Sequence, residues 1–219
     1  MAKMVRTIKF VMKNISKNIS TAGVNMLRRL RYVRYYNKFA RCGKNVILSR
    51  YGFIVRPEQI SFGDNVFISR GFRISAYELS FGNDIMIGPN IVIECEDHIF
   101  DRVGVPMIHY SDYKRFAPVS IENDVWIGAN VTILKNTTIR EGAIVGACSL
   151  VNRDIPPYCI AFGVPAKPYR LRICNESLRE HLNIVRSKYT YEQVMNFFTH
   201  SNDHHPSSPI WSVSRQEPA

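Results

Sequence analysis

The chain has 219 residues, 46% apolar and 21% charged, which suits one domain with a real core and excludes wholesale disorder. Its net charge of +11 is concentrated: residues 1–44 hold twelve Lys/Arg and no Asp or Glu, leaving 17 basic against 18 acidic residues in the remainder. This excludes a cationic nucleic-acid groove through the body and points to an anionic surface met by an N-terminal arm.

Within the arm, Ile8, Val11, Met12, Ile15 and Ile19 recur at three- and four-residue steps with Lys9, Lys13 and Lys17 between them. The spacing predicts an amphipathic helix with a basic face. A second helical stretch is expected over 26–39. Such an arm either caps the main domain or lies on an anionic membrane leaflet. No apolar run approaches the roughly 20 residues needed to span a bilayer. The N-terminus reads as basic, without the apolar stretch and cleavage site of a secretory signal. The five cysteines are odd in number and form no CxxC, which argues against a disulfide framework or zinc knuckle and for a reducing cytosol.

The middle of the chain carries a period of six. From Ile121 the sixes fall on Ile127, Ile133, Ile139, Val145 and Val151. A column two residues earlier runs Val119, Val125, Val131, Thr137, Ala143, Ser149 and Ile155. The same lattice precedes it as Phe62, Ile68, Ile74 and then, after a one-residue slip, Phe81, Ile87 and Ile93. A period of six fits neither a helix at 3.6 nor a lone strand at 2. It fits a coil of three short flat strands, eighteen residues round, stacked at about 4.8 Å so that each wall buries an aliphatic column.

On those hexads, and on the segments "DVWIGANV" and "GVPAKP", residues 46–172 resemble the hexapeptide-repeat acyltransferases, and within them the sugar and capsular-polysaccharide O-acetyltransferases. The resemblance implies a mainly β fold, a left-handed parallel β-helix over 46–172. A basic arm (1–45) precedes it, and a helical segment (173–199) and a flexible tail (200–219) follow. The lattice breaks over 94–118, where the resemblance implies a protruding acceptor-site loop.

That loop carries His98 and His109. A histidine titrates near neutrality and can take a proton from a sugar hydroxyl as it attacks a thioester. The resemblance implies this base at His98, with Glu94, Glu96, Asp97 or Asp101 available to orient the ring. It further implies that Trp126 lines the acetyl channel, that the Ala129 N–H stabilises the oxyanion, and that Gly146 and Ala147 wall the pantetheine arm. Arg153, Lys167 and Arg170 then meet the phosphates of coenzyme A. Tyr158 and Phe162 either stack on adenine or pack in the core. No GxSxG elbow and no Cys beside a base is present, so direct transfer from acetyl-CoA is expected, without a metal. The resemblance implies a homotrimer with sites between subunits, acting on a glycan in the cytoplasm or at the inner face of the membrane.

One departure bears on the acceptor. Galactoside-type relatives carry an "ANFN"-like run where this chain has "ISRGFRIS", which weakens a small neutral sugar and favours a polymeric, lipid-linked or acidic glycan. Three other readings stay open at the level of sequence: N-acetylation of an amino-sugar nucleotide, a zinc-dependent hydratase on a β-helix, and a non-catalytic scaffold.

Overall fold

The computed structural model describes residues 37–110 and 114–203. Both expected arm helices, apart from the last residues of the second, lie outside them, as does the tail after 203.

Each hexad forms a strand of two or three residues, because residues two apart point to the same side of an extended backbone. The two aliphatic positions therefore face inward together, and the residue between them faces out. Three parallel sheets result. The first wall stacks Arg41–Cys42, Ile60–Phe62, Leu79–Phe81, Val119–Ile121 and Thr137–Ile139. The second stacks Ile47–Leu48, Val66–Ile68, Ile85–Ile87, Trp126–Ile127, Ile144–Val145 and Cys159–Gly163. The third stacks Phe53–Val55, Arg73–Ser75, Val92–Glu94, Thr132–Leu134 and Leu150–Val151. Together they make a left-handed β-helix of about six turns. The coils start earlier than the hexads suggest, since Arg41–Cys42 already pairs with Ser61–Phe62. Just before it, the Phe39 ring meets Phe62 edge-on at 5.0 Å.

Both expected columns are buried throughout, from Ile60 and Phe62 to Val151 and Ile155. Burying each Val, Ile, Leu or Phe of these columns contributes about 1.5–3 kcal/mol. The slip after Ile74 is taken up at a corner, where Glu78 adopts a left-handed φ of 43°. Other corners use Asn and Asp in the same conformation, stacked coil on coil. Asn45 Nδ2 donates to Asn65 Oδ1 at 2.9 Å, and Asn65 Nδ2 to Asp84 Oδ1 at 2.8 Å. Between the second and third walls the turns are tighter. A Cβ on Gly128 would stand 2.6 Å from the Ala147 nitrogen, so only glycine fits.

The outward positions give the walls different characters. The first presents hydroxyls in register, Ser61, Ser80, Ser120 and Thr138. The second presents an apolar column, Ile47, Phe67, Met86 and Trp126.

After Cys159–Gly163 the chain turns back as Ala166–Leu171, antiparallel to it. Helices α1 (Asn175–Ile184) and α2 (Tyr191–Asp203) follow. Leu178, Leu182 and Val194 pack on Tyr158 at this end of the coils. Ile184 and Val185, at the C-terminal end of α1, are exposed. A polar clasp supports the packing: Tyr158 Oη donates to Glu141 Oε1 at 2.7 Å, and Lys188 pairs with Glu122 at 2.8 Å.

Candidate functional site

The excursion between the third and first walls begins and ends in a strand pair. Glu96–His98 and Lys114–Phe116 form an antiparallel pair, with Asp97 opposite Arg115. Its base is tied into the coils: the Cys95 N–H donates to Ser75 O at 3.0 Å, and the Ala117 N–H to Cys95 O at 3.1 Å.

Charge then holds the pair from both sides. In the first coil Arg56, itself left-handed at φ 56°, donates to Glu96 at 2.5 Å, to Ala76 O at 2.7 Å and to Ser75 Oγ at 3.1 Å. Its guanidinium also lies over the Phe116 ring, 5.0 Å from the centroid, and Phe116 stacks on Tyr77. From the coil below, Lys135 reaches Asp97 at 2.9 Å. Further out, Arg115 grips both oxygens of Asp101, and that hydrogen bonding holds the Asp101 carboxyl below its ordinary range.

The His98 side chain stands exposed at the end of this strand. Three of the four acids expected to orient it, Glu96, Asp97 and Asp101, bind Arg56, Lys135 and Arg115. Among the described residues the His98 side chain has no hydrogen-bond or ion-pair partner. The hairpin, not a carboxylate, places the imidazole. His109 is exposed in a one-turn 3-10 helix, Met107–His109.

The remaining candidates fall on two edges. Trp126 projects from the second wall between Met86 and Ile144, 51% exposed. Ala129 follows at the corner leading to the third wall. Among the described residues its N–H enters no backbone–backbone hydrogen bond, whereas Gly128 N–H donates to Val145 O and Asn130 N–H to Pro89 O. Gly146 and Ala147 occupy the same corner one coil on. Lys167 and Arg170 sit on the return strand, opposite Phe162 and Ile160, and both are exposed. Phe162 also faces outward, its ring 5.2 Å from Tyr169. Tyr158, by contrast, is fully buried and belongs to the core. Burial and the neighbouring Glu141 push its phenol well above the ordinary tyrosine range.

His98 and Arg153 lie on the other edge, between the third and first walls. Arg153 opens onto a cleft lined also by Ser120, Thr138, Asn152 and Asp154. In that cleft Asn152 Oδ1 is buried and accepts no hydrogen bond. The whole third wall separates the Trp126–Ala129 edge from the His98 edge. Among the described residues no group of three or more His, Cys, Asp or Glu is arranged to hold a metal ion.

Residues 118–153 match the bacterial transferase hexapeptide family, six repeats. A Staphylococcus aureus (strain Mu50) protein provisionally named an acetyltransferase is 31% identical over 142 residues, covering 55% of this chain and 68% of that protein. The chain belongs to the hexapeptide-repeat acetyltransferase family. The galactoside O-acetyltransferase of Escherichia coli (strain K12) is 31% identical over 139 residues, 60% of this chain and 64% of that enzyme. A hexapeptide-repeat acetyltransferase of Vibrio cholerae O1 biovar eltor, solved in complex with acetyl coenzyme A, superposes with a TM-score of 0.61 at 28% identity. That match covers 67% of this chain and 78% of the other. The chain spans less than two thirds of the length of several curated relatives it matches.

The hairpin that carries His98 was not legible as a hairpin in the sequence, and neither were its supports. Arg56, Lys135 and Arg115 are ordinary basic residues in the text of the chain, and Arg56 lies forty residues before its partner Glu96. The Glu96/Phe116 and His98/Lys114 pairings are likewise long-range facts.

Proposed function

We propose that this chain transfers an acetyl group from acetyl-CoA to a hydroxyl of a glycan. The observation that carries the reading is the presentation of His98: an exposed imidazole on a hairpin whose neighbouring carboxylates bind cations of their own. It is supported by the galactoside O-acetyltransferase relative and by the acetyl-CoA complex of the Vibrio cholerae protein.

In this reading the neutral His98 ring takes the proton from the acceptor hydroxyl as its oxygen attacks the thioester carbon. The carbonyl oxygen gains negative charge against the Ala129 N–H. Collapse then breaks the carbon–sulfur bond, and the imidazolium returns its proton to the departing sulfur. Gly146 and Ala147 give the pantetheine arm a smooth wall, and Lys167 and Arg170 face its phosphates.

Because the two edges are separated within one chain, a complete site needs His98 from one subunit beside Ala129 of another. A homotrimer supplies this, and the exposed column Ile47, Phe67, Met86 and Trp126 is the apolar surface such packing covers. A cytoplasmic site at the inner membrane face suits the basic arm, whose anionic contact is part of the same proposal.

The test is transfer from labelled acetyl-CoA to neutral glycans, acidic glycans and amino-sugar nucleotides, by wild type and by a folded, trimeric His98→Ala variant. Transfer to a glycan, reduced about 10²- to 10⁴-fold in the variant, is the expected result. Transfer to the amine of a sugar nucleotide overturns the acceptor, and equal rates in both proteins overturn His98.

A further inference from the structure

The near-neutral body of the chain is not neutral along its length. Residues 39–75, the first two coils, contain Arg41, Lys44, Arg50, Arg56, Arg70 and Arg73 against only Glu58 and Asp64. Of these cations Arg56 binds Glu96. Among the described residues Arg50, Arg70 and Arg73 have no ion-pair or side-chain hydrogen-bond partner.

Their positions are related by the coil. The Gly71 N–H donates to Arg50 O, Asn90 to Arg70 O, Asn130 to Pro89 O, and Cys148 to Ala129 O. Arg50, Arg70, Pro89, Ala129 and Ala147 are therefore one corner position repeated down the helix, each step rising about 4.8 Å. Arg70 stands about 10 Å above Ala129 on this line, and Arg50 about 14 Å. On the adjoining third wall Arg73 lies beside Phe53 in register.

Two exposed aromatics accompany the three guanidiniums: Tyr51 at 81% and Phe53 at 60%. Tyr51 holds φ at 64°. The equivalent residues in later coils are Gly71, Asn90, Asn130 and Cys148, so a bulky aromatic stands where the backbone favours Gly or Asn. Packing does not account for it, since the ring is almost fully exposed.

We infer that Arg50, Arg70 and Arg73, with Tyr51 and Phe53, form an acceptor track for a carboxylated glycan. The inference rests on the transfer reading above and names the acceptor class of that same site. Below Ala129 the corner is small, Ala147, and ends near Lys167 and Arg170, where the donor nucleotide is placed. Above Ala129 it turns cationic. A donor and an acceptor arriving from opposite ends of one edge meet at the free Ala129 N–H. The guanidiniums pair with carboxylates in fork geometry, and the aromatic faces pack on the C–H faces of sugar rings. A glycan is favoured over a lipid surface because the track is a line leading to the reacting position.

The test separates binding from turnover. Binding of a polygalacturonate oligosaccharide, of neutral dextran and of phosphatidylserine-containing vesicles is measured for the full-length protein without acetyl-CoA. Wild type is compared with an Arg50→Gln/Arg70→Gln/Arg73→Gln variant and with Tyr51→Asn. The expected result is salt-sensitive binding of polygalacturonate over dextran, weakened about tenfold in the triple variant, as three solvent-accessible contacts of about twofold each imply. Tyr51→Asn is expected to weaken binding while raising thermal stability, because Asn tolerates the left-handed backbone. Equal polygalacturonate binding by wild type and the triple variant overturns the track, as does loss of vesicle binding alone. Hydrolysis of acetyl-CoA to free coenzyme A, lost in His98→Ala, tests the transfer chemistry separately, so either reading can fail without the other.

Discussion

Arg56→Met removes the charge that holds the His98 strand from above while keeping an unbranched side chain against Phe116. Arg56 makes three hydrogen bonds through its guanidinium, and its side chain and that of Glu96 are only 27% and 14% exposed. Breaking a fully buried pair costs about 3–5 kcal/mol, whereas an exposed one contributes about 0.2–1 kcal/mol. A pair of this exposure falls between them, at about 2 kcal/mol. The lost cation–ring contact adds about 0.5–1 kcal/mol. This energy acts on the hairpin, which hangs outside the coil ladder, so it raises local opening without melting the core. Hydrogen exchange at residues 96–98 is expected to accelerate while the amides of Thr132–Leu134 stay protected. With His98 acting as proposed, its displacement is expected to lower kcat by about 10²-fold. The KM for acetyl-CoA is expected to stay unchanged, because Ala129, Gly146, Ala147, Lys167 and Arg170, which hold the donor in the proposed site, stand away from the His98 edge. Arg56→Lys restores part of kcat. Unchanged hairpin exchange, or a kcat within twofold of wild type, would refute the positioning argument.

Ile133→Ala cuts the fully buried column where coils three, four and five meet, and its cost is about 2–5 kcal/mol by urea unfolding. Tyr158→Phe removes the phenol that donates to the buried Glu141 carboxylate, and is expected to lower stability by about 1–3 kcal/mol with the helical end loosening first in hydrogen exchange. Burial pushes the Cys159 thiol up to about 12 from an ordinary 9.0. Its folded value lies above its unfolded one, so the stabilisation is present below pH 9 and is lost as pH rises from there towards 12. At pH 8, iodoacetamide should therefore modify exposed Cys148 and Cys174 and spare Cys159 in the folded protein.

The repeat was legible because its signal is local: two inward positions in every six, and every residue of both columns is buried as their period requires. The first coil escaped that count because its corner is longer, with Pro57–Gln59 inserted as a 3-10 turn. Val46, Leu48 and Ile54 are core residues all the same. His98 was legible as the histidine where the lattice stops. Its surroundings were not, because four acids close in sequence to a histidine suggest an orienting carboxylate, and only the fold shows that Glu96, Asp97 and Asp101 meet cations instead. Trp126 and His98 lie 28 positions apart with no mark in the sequence of the wall between them.

The excursion leaves no scar in the ladder. Leu79–Phe81 pairs directly with Val119–Ile121, and Val92–Glu94 with Thr132–Leu134, forty positions apart where one coil would need about half that. The coils close over the gap as if it were absent. Changes of length or sequence between residues 99 and 113 therefore leave the strand register of the coils untouched, so this stretch can vary without cost to the ladder.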